Sequence, residues 1–431
     1  MGKATVMVVG AGGREHALAW ALARSASVGR VIAAPGNAGM VWSAGAGRAP
    51  CVSLPVDVNA LDEVVNLARA EHADLVVVGP EAPLAAGLVD RLKAAGVLAF
   101  GVHAAAAQLE ASKAFAKAFM TRHGIPTAAY GAFTDRAGAH AFVRTFGRPV
   151  VVKADGLAAG KGVIVCETAD EAIAAVDHIM GDRAFGAAGD QVVIEERLTG
   201  VEVSALALCD GERAALMPLA RDHKRALDGD RGLNTGGMGV ICPVEVDDTV
   251  RRAIADVVIA RTIAGLNADG VRFRGVLYAG LMLTADGVRV LEYNCRFGDP
   301  ETEAILPLFD GDLAAVLSAC ARGELDPGAV RWRTGACATV IAASGGYPES
   351  YTTGHPIAGL DDNLPDSAVF HAGTRRDAAG RVVTAGGRVL AVSGWGVTRD
   401  AALERAYARL GTIHFDGIHY RRDIGRTEAA R

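Results

Sequence analysis

The segment Lys153-Ala-Asp155-Gly156-Leu-Ala-Ala-Gly160-Lys161-Gly162-Val163 sets two lysines and three glycines within eleven residues. Lys153 ends a β-branched strand, so its ammonium points off a sheet. The glycines let the loop fold over a polyphosphate with its N–H groups exposed. It is not a P-loop: three residues separate Gly156 from Gly160-Lys161, and Gly162 stands where Ser or Thr is required. A mobile hairpin with solvated lysines suits the same residues.

A second constellation is Leu291-Glu292-Tyr-Asn294-Cys-Arg296-Phe-Gly298-Asp299-Pro-Glu301-Thr-Glu303. On a strand, Glu292 and Asn294 point to one face. Two oxygen donors there suit Mg²⁺, which takes few protein ligands and fills its shell with phosphate and water. Arg296 shares that parity if the strand continues, and would face the same phosphates. A solvated hairpin end carries similar charges.

Gly10-Ala-Gly12-Gly13-Arg14-Glu15 lies between a strand and a helix, where N–H groups and the helix dipole favour a phosphate. A dinucleotide fingerprint fails on two points. Glu15 occupies the third glycine position, and Ala33-Ala34-Pro35 ends the next strand with no acid for a ribose. A plain tight turn remains an alternative. Pro35-Gly36-Asn37 and Gly79-Pro80-Glu81 also follow strands, so all three turns should meet at the carboxyl edge of a sheet, where open α/β sheets bind ligands. Asp222-His223-Lys224-Arg225, followed by Asn234-Thr235-Gly236-Gly237-Met-Gly239, is a charge cluster and a glycine-rich loop expected near the Glu292 strand. Substrate contact is expected there, while His223 alone carries no functional reading.

The elements that hold these residues follow from the pattern. Over 1–105, apolar strands at 5–9, 31–34, 74–78 and 97–100 alternate with helices starting near Arg14 and spanning 60–71 and 83–95. That alternation predicts a parallel sheet. A helix bearing Lys113 and Lys117 follows. From residue 149 the pattern turns antiparallel, with strands around the 153–163 loop, at 191–195, and in hairpins about Asp210-Gly211 and Asp286-Gly287. After Asp326-Pro327-Gly328, strands at 336–343, 369–372, 381–384 and 389–393 and a helix at 400–410 predict a small α+β domain.

With 431 residues the chain should hold two to four domains at roughly 100–200 residues each. Apolar residues make up 51% and aromatics 5%, a helix-rich α/β composition rather than a disordered one. The net charge of −5 and the lack of a Lys/Arg block argue against a nucleic-acid partner. Seven scattered cysteines with no Cys-x-x-Cys predict neither a zinc site nor a disulfide framework, hence a reducing, cytoplasmic setting. No signal peptide and no membrane span are expected.

Eight segments in order carry a resemblance: 12–17, 35–39, 79–84, 112–117, 153–163, 222–225, 234–239 and 294–302. Together the chain resembles the phosphoribosylamine–glycine ligase family (glycinamide ribonucleotide synthetases) of the ATP-grasp superfamily, over about 1–425. The resemblance implies an N-terminal phosphoribosylamine-binding α/β domain at 1–105, an ATP-grasp core at 106–328 with a mobile lid at about 125–193, and a C-terminal domain at 329–431. It implies the second step of de novo purine synthesis: ATP, glycine and 5-phosphoribosylamine give glycinamide ribonucleotide, ADP and phosphate. Mg²⁺ or Mn²⁺ is implied with it, and a monomer is expected, with no fusion to another purine enzyme.

Carried over by position, Lys113 and Lys153 resemble phosphate-binding lysines, with Gly160, Lys161 and Gly162 in the loop over the nucleotide. Glu195 and Glu196 match the hinge that meets the adenine, and Glu202 the ribose-binding acid. Glu292 and Asn294 match the metal ligands, and Lys153 and Arg296 the catalytic cations. Phosphoribosylamine and glycine would meet Gly12, Gly13, Arg14, Glu15, Asn37, Gly79, Pro80, Glu81, Asp222, Asn234, Thr235, Arg296, Gly298 and Asp299. The chain departs from the family at Val102, His103, Ala111 and Leu233, and Asp423-Ile-Gly425-Arg426 lacks the tryptophan often found next. Those departures touch loops and caps. The strand before Glu292 reads Tyr278-Ala-Gly-Leu281 and offers no second metal-binding acid.

Overall fold

The computed structural model describes residues 2–45, 47–157, 162–182, 186–362 and 364–426. The first apolar runs form a parallel sheet of β1 (Ala4–Gly10), β2 (Val28–Pro35), β3 (Cys51–Ser53), β4 (Leu75–Val78) and β5 (Ala99–Phe100), in the order β3-β2-β1-β4-β5. Period-two alternation decides which helix each side chain meets. Val6 and Val8 pack with Leu18 and Leu22 of the helix Gly13–Leu22, whereas Met7 and Val9 pack with Leu61 and Val64 of the helix Leu61–Ala70. Both faces are covered, which explains the unbroken apolar run.

Two helices differ from expectation. The one read at 83–95 is split into Glu81–Ala85 and Leu88–Ala94, because Gly87 is left-handed at φ +87°. The lysine helix is also two, Ala104–Ala111 and Lys113–Arg122. Ser112 separates them with extended backbone and caps the second, its hydroxyl accepting from Phe115 N–H at 3.0 Å. That break puts Lys113 in the first turn of a new helix.

The next sheet is antiparallel: β6 (Tyr130–Phe133), β7 (Val150–Ala154), β8 (Val163–Cys166) and β9 (Val192–Glu196), ordered β6-β9-β7-β8. Val150, Val152, Val192 and Ile194 bury one face against Val143 and Val176 of its two helices. The central sheet takes β10 (Val201–Asp210), β11 (Ala214–Leu216), β16 (Arg274–Thr284) and β17 (Gly287–Asn294), ordered β11-β10-β16-β17. Its first hairpin turns at Asp210, whose Oδ1 accepts from Glu212 N–H at 2.9 Å and Arg213 N–H at 2.7 Å. In the second pair Gly280 faces Glu292 but Leu281 faces Val290, so Leu291 is a bulge outside the ladder.

Between these come β12 (Arg221–Asp222), the hairpin β13 (Arg225–Leu227) and β14 (Arg231–Asn234), and β15 (Gly239–Cys242). A short pair, β18 (Phe309–Asp310) and β19 (Arg331–Trp332), leads to β20 (Ala336–Ser344), β21 (Ser367–His371), β22 (Thr374–Arg376), β23 (Val382–Thr384), β24 (Arg388–Gly396) and β25 (Ile418–His419). The C-terminal sheet runs β12-β15-β20-β24-β21, with β25 on β20, beneath the helix Arg399–Leu410. Strands β12 and β15 thus lie in one sheet with strands beyond 329, and the division expected at 328/329 is crossed by that sheet. The first and last parts also touch: His371 N–H donates to His16 Nδ1 at 2.8 Å, and Trp20 meets Phe370 and Trp395 edge-on. Among the described residues no helix is long and apolar enough to cross a membrane.

Candidate active site

A cleft of about 350 Å³ opens where the N-terminal helices, the β6–β9 sheet, the end of β17 and the β12 segment converge. Glu292 lies on its floor opposite Gly280, and a methyl group on Gly280 would stand 3.3 Å from Glu292 Cγ. Burial alone would push the Glu292 carboxyl up, but Lys224, Lys153, Lys113 and Arg296 outweigh it and hold it below the usual range. Asn294 Oδ1 accepts from Arg296 Nη2 at 3.2 Å. The strand ends at Asn294, yet Arg296 still faces the cleft. Its Nη2 lies 3.1 Å from Glu110 Oε1, its Nε lies 3.5 Å from Glu81 Oε2, and Glu110 Oε2 also accepts from Cys295 N–H at 2.7 Å. Glu110 therefore holds both the arginine and the backbone next to Asn294.

The donor set fits a hard cation. Glu292 and Asn294 offer two oxygens, and among the described residues no group of three or more His, Cys, Asp or Glu could hold a metal. A cation here would complete its shell from phosphates and water, as Mg²⁺ and Mn²⁺ do.

Three lysines stand around the floor. Lys113 Nζ donates to Gly156 O at 3.0 Å, and burial lowers its pKa. Lys153 Nζ lies 2.9 Å from Glu195 Oε1 and donates to Leu291 O at 3.1 Å, the carbonyl that the bulge frees. It is absent from the cleft lining, whereas Glu195 and Lys117 are part of it. Lys117 Nζ lies 2.9 Å from Glu195 Oε2 and donates to Thr127 Oγ1 at 2.7 Å. Burial brings Lys117 down to about 8 despite that carboxylate. Glu196 alternates to the other face of β9 and pairs with Arg148 at 2.6 Å. Glu202 is exposed on β10, and Gly162 lines the cleft. Gly160 and Lys161 lie outside the described residues.

The N-terminal turns do meet at one sheet edge, and Glu15 fills the space between them. Its Oε2 accepts from Gly12 N–H at 2.7 Å and its Oε1 from Arg14 Nε at 2.6 Å. A Cβ on Gly10 would stand 2.7 Å from Glu15 Cγ, one on Gly12 2.8 Å from its Oε2, and one on Gly79 would strike the same carboxylate. The glycines thus make room for a buried glutamate that ties the turns together. Asn37 is equally occupied: Nδ2 donates to Ala11 O at 2.8 Å and His371 O at 2.7 Å, and Oδ1 accepts from Gly39 N–H at 3.0 Å. Of this group, Arg14 and Glu81 line the cleft, while Gly12, Gly13, Gly79 and Pro80 stand behind them. Burial would raise the Glu81 carboxyl, but Arg296 and Arg14 outweigh it and hold it low.

The opposite wall comes from Asp222, Thr235 and Asp299, with Lys224, Glu301 and Arg388. Asp222, 3.6 Å away, raises the pKa of Lys224 well above its ordinary value against the effect of burial. Tyr278 OH donates to Glu301 Oε1 at 2.8 Å. Arg388 Nη1 reaches from the C-terminal sheet to Asp299 Oδ1 at 3.0 Å and donates to Gly236 O at 2.6 Å. Asn234 lines instead a neighbouring cavity of about 430 Å³ with Val163, Leu233 and Pro348. Gly298 packs behind Glu301, where a Cβ would come 2.9 Å from the carboxyl carbon.

Sequence reasoning left Glu110, Lys117, Lys224, Tyr278, Glu301 and Arg388 out of the site. Lys117, Lys224 and Glu301 sit inside motifs already singled out, so proximity could have flagged them. Glu110, Tyr278 and Arg388 carry no local signal.

Family models for phosphoribosylglycinamide synthetase match three stretches: the N domain at residues 4–110, the ATP-grasp (A) domain at 111–302 and the C domain at 337–427. The chain is 49% identical over 429 residues to the phosphoribosylamine–glycine ligase of Caulobacter vibrioides, covering 99% of this chain and 98% of that one. It is 48% identical over 426 residues to the human trifunctional purine biosynthetic protein adenosine-3, covering 98% of this chain and 42% of that one. The crystal structure of phosphoribosylamine–glycine ligase from Thermotoga maritima superposes with a TM-score of 0.84 at 34% identity, over 97% of this chain and 99% of that one. The biotin carboxylase domain of the Hydrogenobacter thermophilus 2-oxoglutarate carboxylase shares the fold, with a TM-score of 0.74 at 16% identity over 97% of this chain and 92% of that one.

Proposed function

The chain belongs to the phosphoribosylglycinamide synthetase family, and on that premise we propose how its cleft carries out the reaction. It is an ATP-dependent carbon–nitrogen ligase that joins glycine to 5-phosphoribosylamine, giving glycinamide ribonucleotide, ADP and phosphate, the purine-biosynthetic step. The ATP-grasp fold works with ATP and a divalent metal. The observation that carries the reading is the convergence of Lys113, Glu292, Asn294 and Arg296 in one cleft, in a chain that matches the family along nearly all its length.

Glycine carboxylate attacks the γ-phosphorus of ATP, releasing ADP and forming glycyl phosphate. The amine of phosphoribosylamine then attacks the glycyl carbonyl, and phosphate leaves with the former carboxylate oxygen. Both steps depend on charge neutralisation and alignment more than on acid–base chemistry. Lys113, Lys153 and Arg296 neutralise the transferring phosphoryl group, and Glu292 and Asn294 hold the metal, Mg²⁺ or Mn²⁺, which would draw off phosphate charge. Arg14, Glu81 and Asp299 serve the ribosylamine side, and Asp222, Thr235 and Arg296 the glycine side. The lid excludes water that would hydrolyse an acyl phosphate. A monomer in the cytoplasm, without a nucleic-acid partner, completes the reading.

The test is a coupled assay of ADP release with glycine and freshly made phosphoribosylamine. Release must need both. Glu292→Ala should reduce it on the order of 1,000-fold, the scale of losing a charge-stabilising group. ADP release equal to wild type in that variant would remove Glu292 from the site.

A further inference from the structure

Glu195 is a buried carboxylate shared by two buried ammonium groups, Lys117 and Lys153, each 2.9 Å from one of its oxygens. The two lysines are held differently. Among the described residues Lys153 has one other tie, to Leu291 O at 3.1 Å, a carbonyl outside the strand ladder. Lys117 is anchored through Thr127, whose hydroxyl accepts from Nζ at 2.7 Å and donates to Val290 O at 2.6 Å. Thr127 itself bridges to Val290 on β17, just before β6 begins at Tyr130. Lys117 is therefore tied to floor strand β17, and Lys153 rides on β7 of a different sheet.

We propose that Lys117 is a positioning residue that keeps Glu195 charge-compensated when Lys153 leaves it to meet the nucleotide phosphates. This rests on the ATP-ligase reading above. Lys153 cannot neutralise Glu195 and a polyphosphate at once, and in this structure its ammonium is not among the groups lining the cleft. Once it turns inward, a carboxylate with side-chain exposure of 3% would lack a counter-charge if Lys117 were absent. An isolated buried charge of that kind is costly. Without Lys117, Glu195 would hold Lys153 back, and nucleotide affinity would fall even though Lys117 need not touch a phosphate.

The experiment is equilibrium binding of a non-hydrolysable ATP analogue in magnesium buffer, with neither glycine nor phosphoribosylamine present. Lys117→Met should weaken binding on the order of 10- to 100-fold, as removing one member of a buried charge pair does. The double variant Lys117→Met/Glu195→Gln should bind within about threefold of Glu195→Gln alone, because the charge to be compensated is gone. Urea midpoints of the same variants are compared, and affinity lost only in proportion to lost stability would also overturn the proposal. Wild-type binding in Lys117→Met, or losses that simply multiply in the double variant, would overturn the proposal. If Lys117→Met does not fold, Thr127→Val replaces it. Weakening that Glu195→Gln relieves supports the proposal, and no weakening, or weakening it does not relieve, overturns it. Wild-type ADP release with both substrates is measured separately, so failure of the ligase reading is distinguished from failure of this inference.

Discussion

Gly280→Ala isolates the placement of Glu292 from its presence. Gly280 lies in the interior of β16 directly opposite Glu292, and it does not have a positive φ. Alanine costs nothing in backbone strain here and would gain about 0.5–1 kcal/mol from the stiffer unfolded chain. The added methyl sits 3.3 Å from Glu292 Cγ. Comfortable carbon contacts lie at about 3.5–4.0 Å, so Cγ must yield by roughly 0.2–0.7 Å. The carboxylate lies beyond Cγ and swings further, on the order of 0.5–1 Å. A misplacement of about 1 Å at a reacting centre costs about 100-fold. We expect kcat/KM for ADP release to fall about 10- to 100-fold, roughly 1.4–2.7 kcal/mol. Unfolding stability should fall by no more than about 0.5 kcal/mol, because the gain from alanine in the strand offsets the tighter contact. Steady-state assay and urea titration are run on the same preparation. Undiminished kcat/KM at undiminished stability would refute the reasoning, because it would show that the lateral position of Glu292 does not matter.

Other outcomes follow from the same geometry. Arg388→Ala frees Asp299, whose carboxylate lies beside the Gly12 turn; with Asp299 assigned to the ribosylamine as proposed, KM for phosphoribosylamine should rise about tenfold while KM for ATP stays close to wild type. The His16–His371 contact predicts acid sensitivity. Burial holds both imidazoles neutral, with His16 well below its ordinary value and His371 pushed down to about 4. Both folded pKa values lie below the unfolded value, so the unfolded chain binds more protons. The stability is fully present above about pH 6.5 and is lost as pH falls toward 4, by up to about 3 kcal/mol for His371 alone. Guanidinium midpoints at pH 7 and pH 5 should differ accordingly, and His371→Asn should flatten the difference; equal midpoints in wild type would contradict it.

Local signals made much of this site legible. The alternation of Val6 and Val8 with Met7 and Val9 announced a sheet covered on both faces, and the Asp210-Gly211 turn announced a hairpin. The shared parity of Glu292 and Asn294 announced two oxygens on one face, and both line the cleft. What stayed hidden depends on sequence-distant contacts or on breaks in register. Nothing near Arg388 shows that β15 carries residues 239–242 into the C-terminal sheet and so brings that arginine to Asp299. Nothing near Glu110 shows that it will hold Arg296 and Cys295 N–H together.

The N-terminal glycines show the same limit from the other side. Their spacing suggested N–H groups free for a phosphate, but the Gly12 N–H is taken by Glu15, a residue only three positions on. Glycine allows close approach without specifying what approaches. Here the buried partner is the chain's own carboxylate, so the turns shape the cleft edge that Arg14 and Glu81 present. The Leu291 bulge makes the complementary point. A one-residue slip, invisible in the alternation of apolar and polar residues, frees the carbonyl that holds Lys153 beside Glu195. Strand parity thus located the floor of the cleft, while the departure from parity determines where the Lys153 ammonium rests.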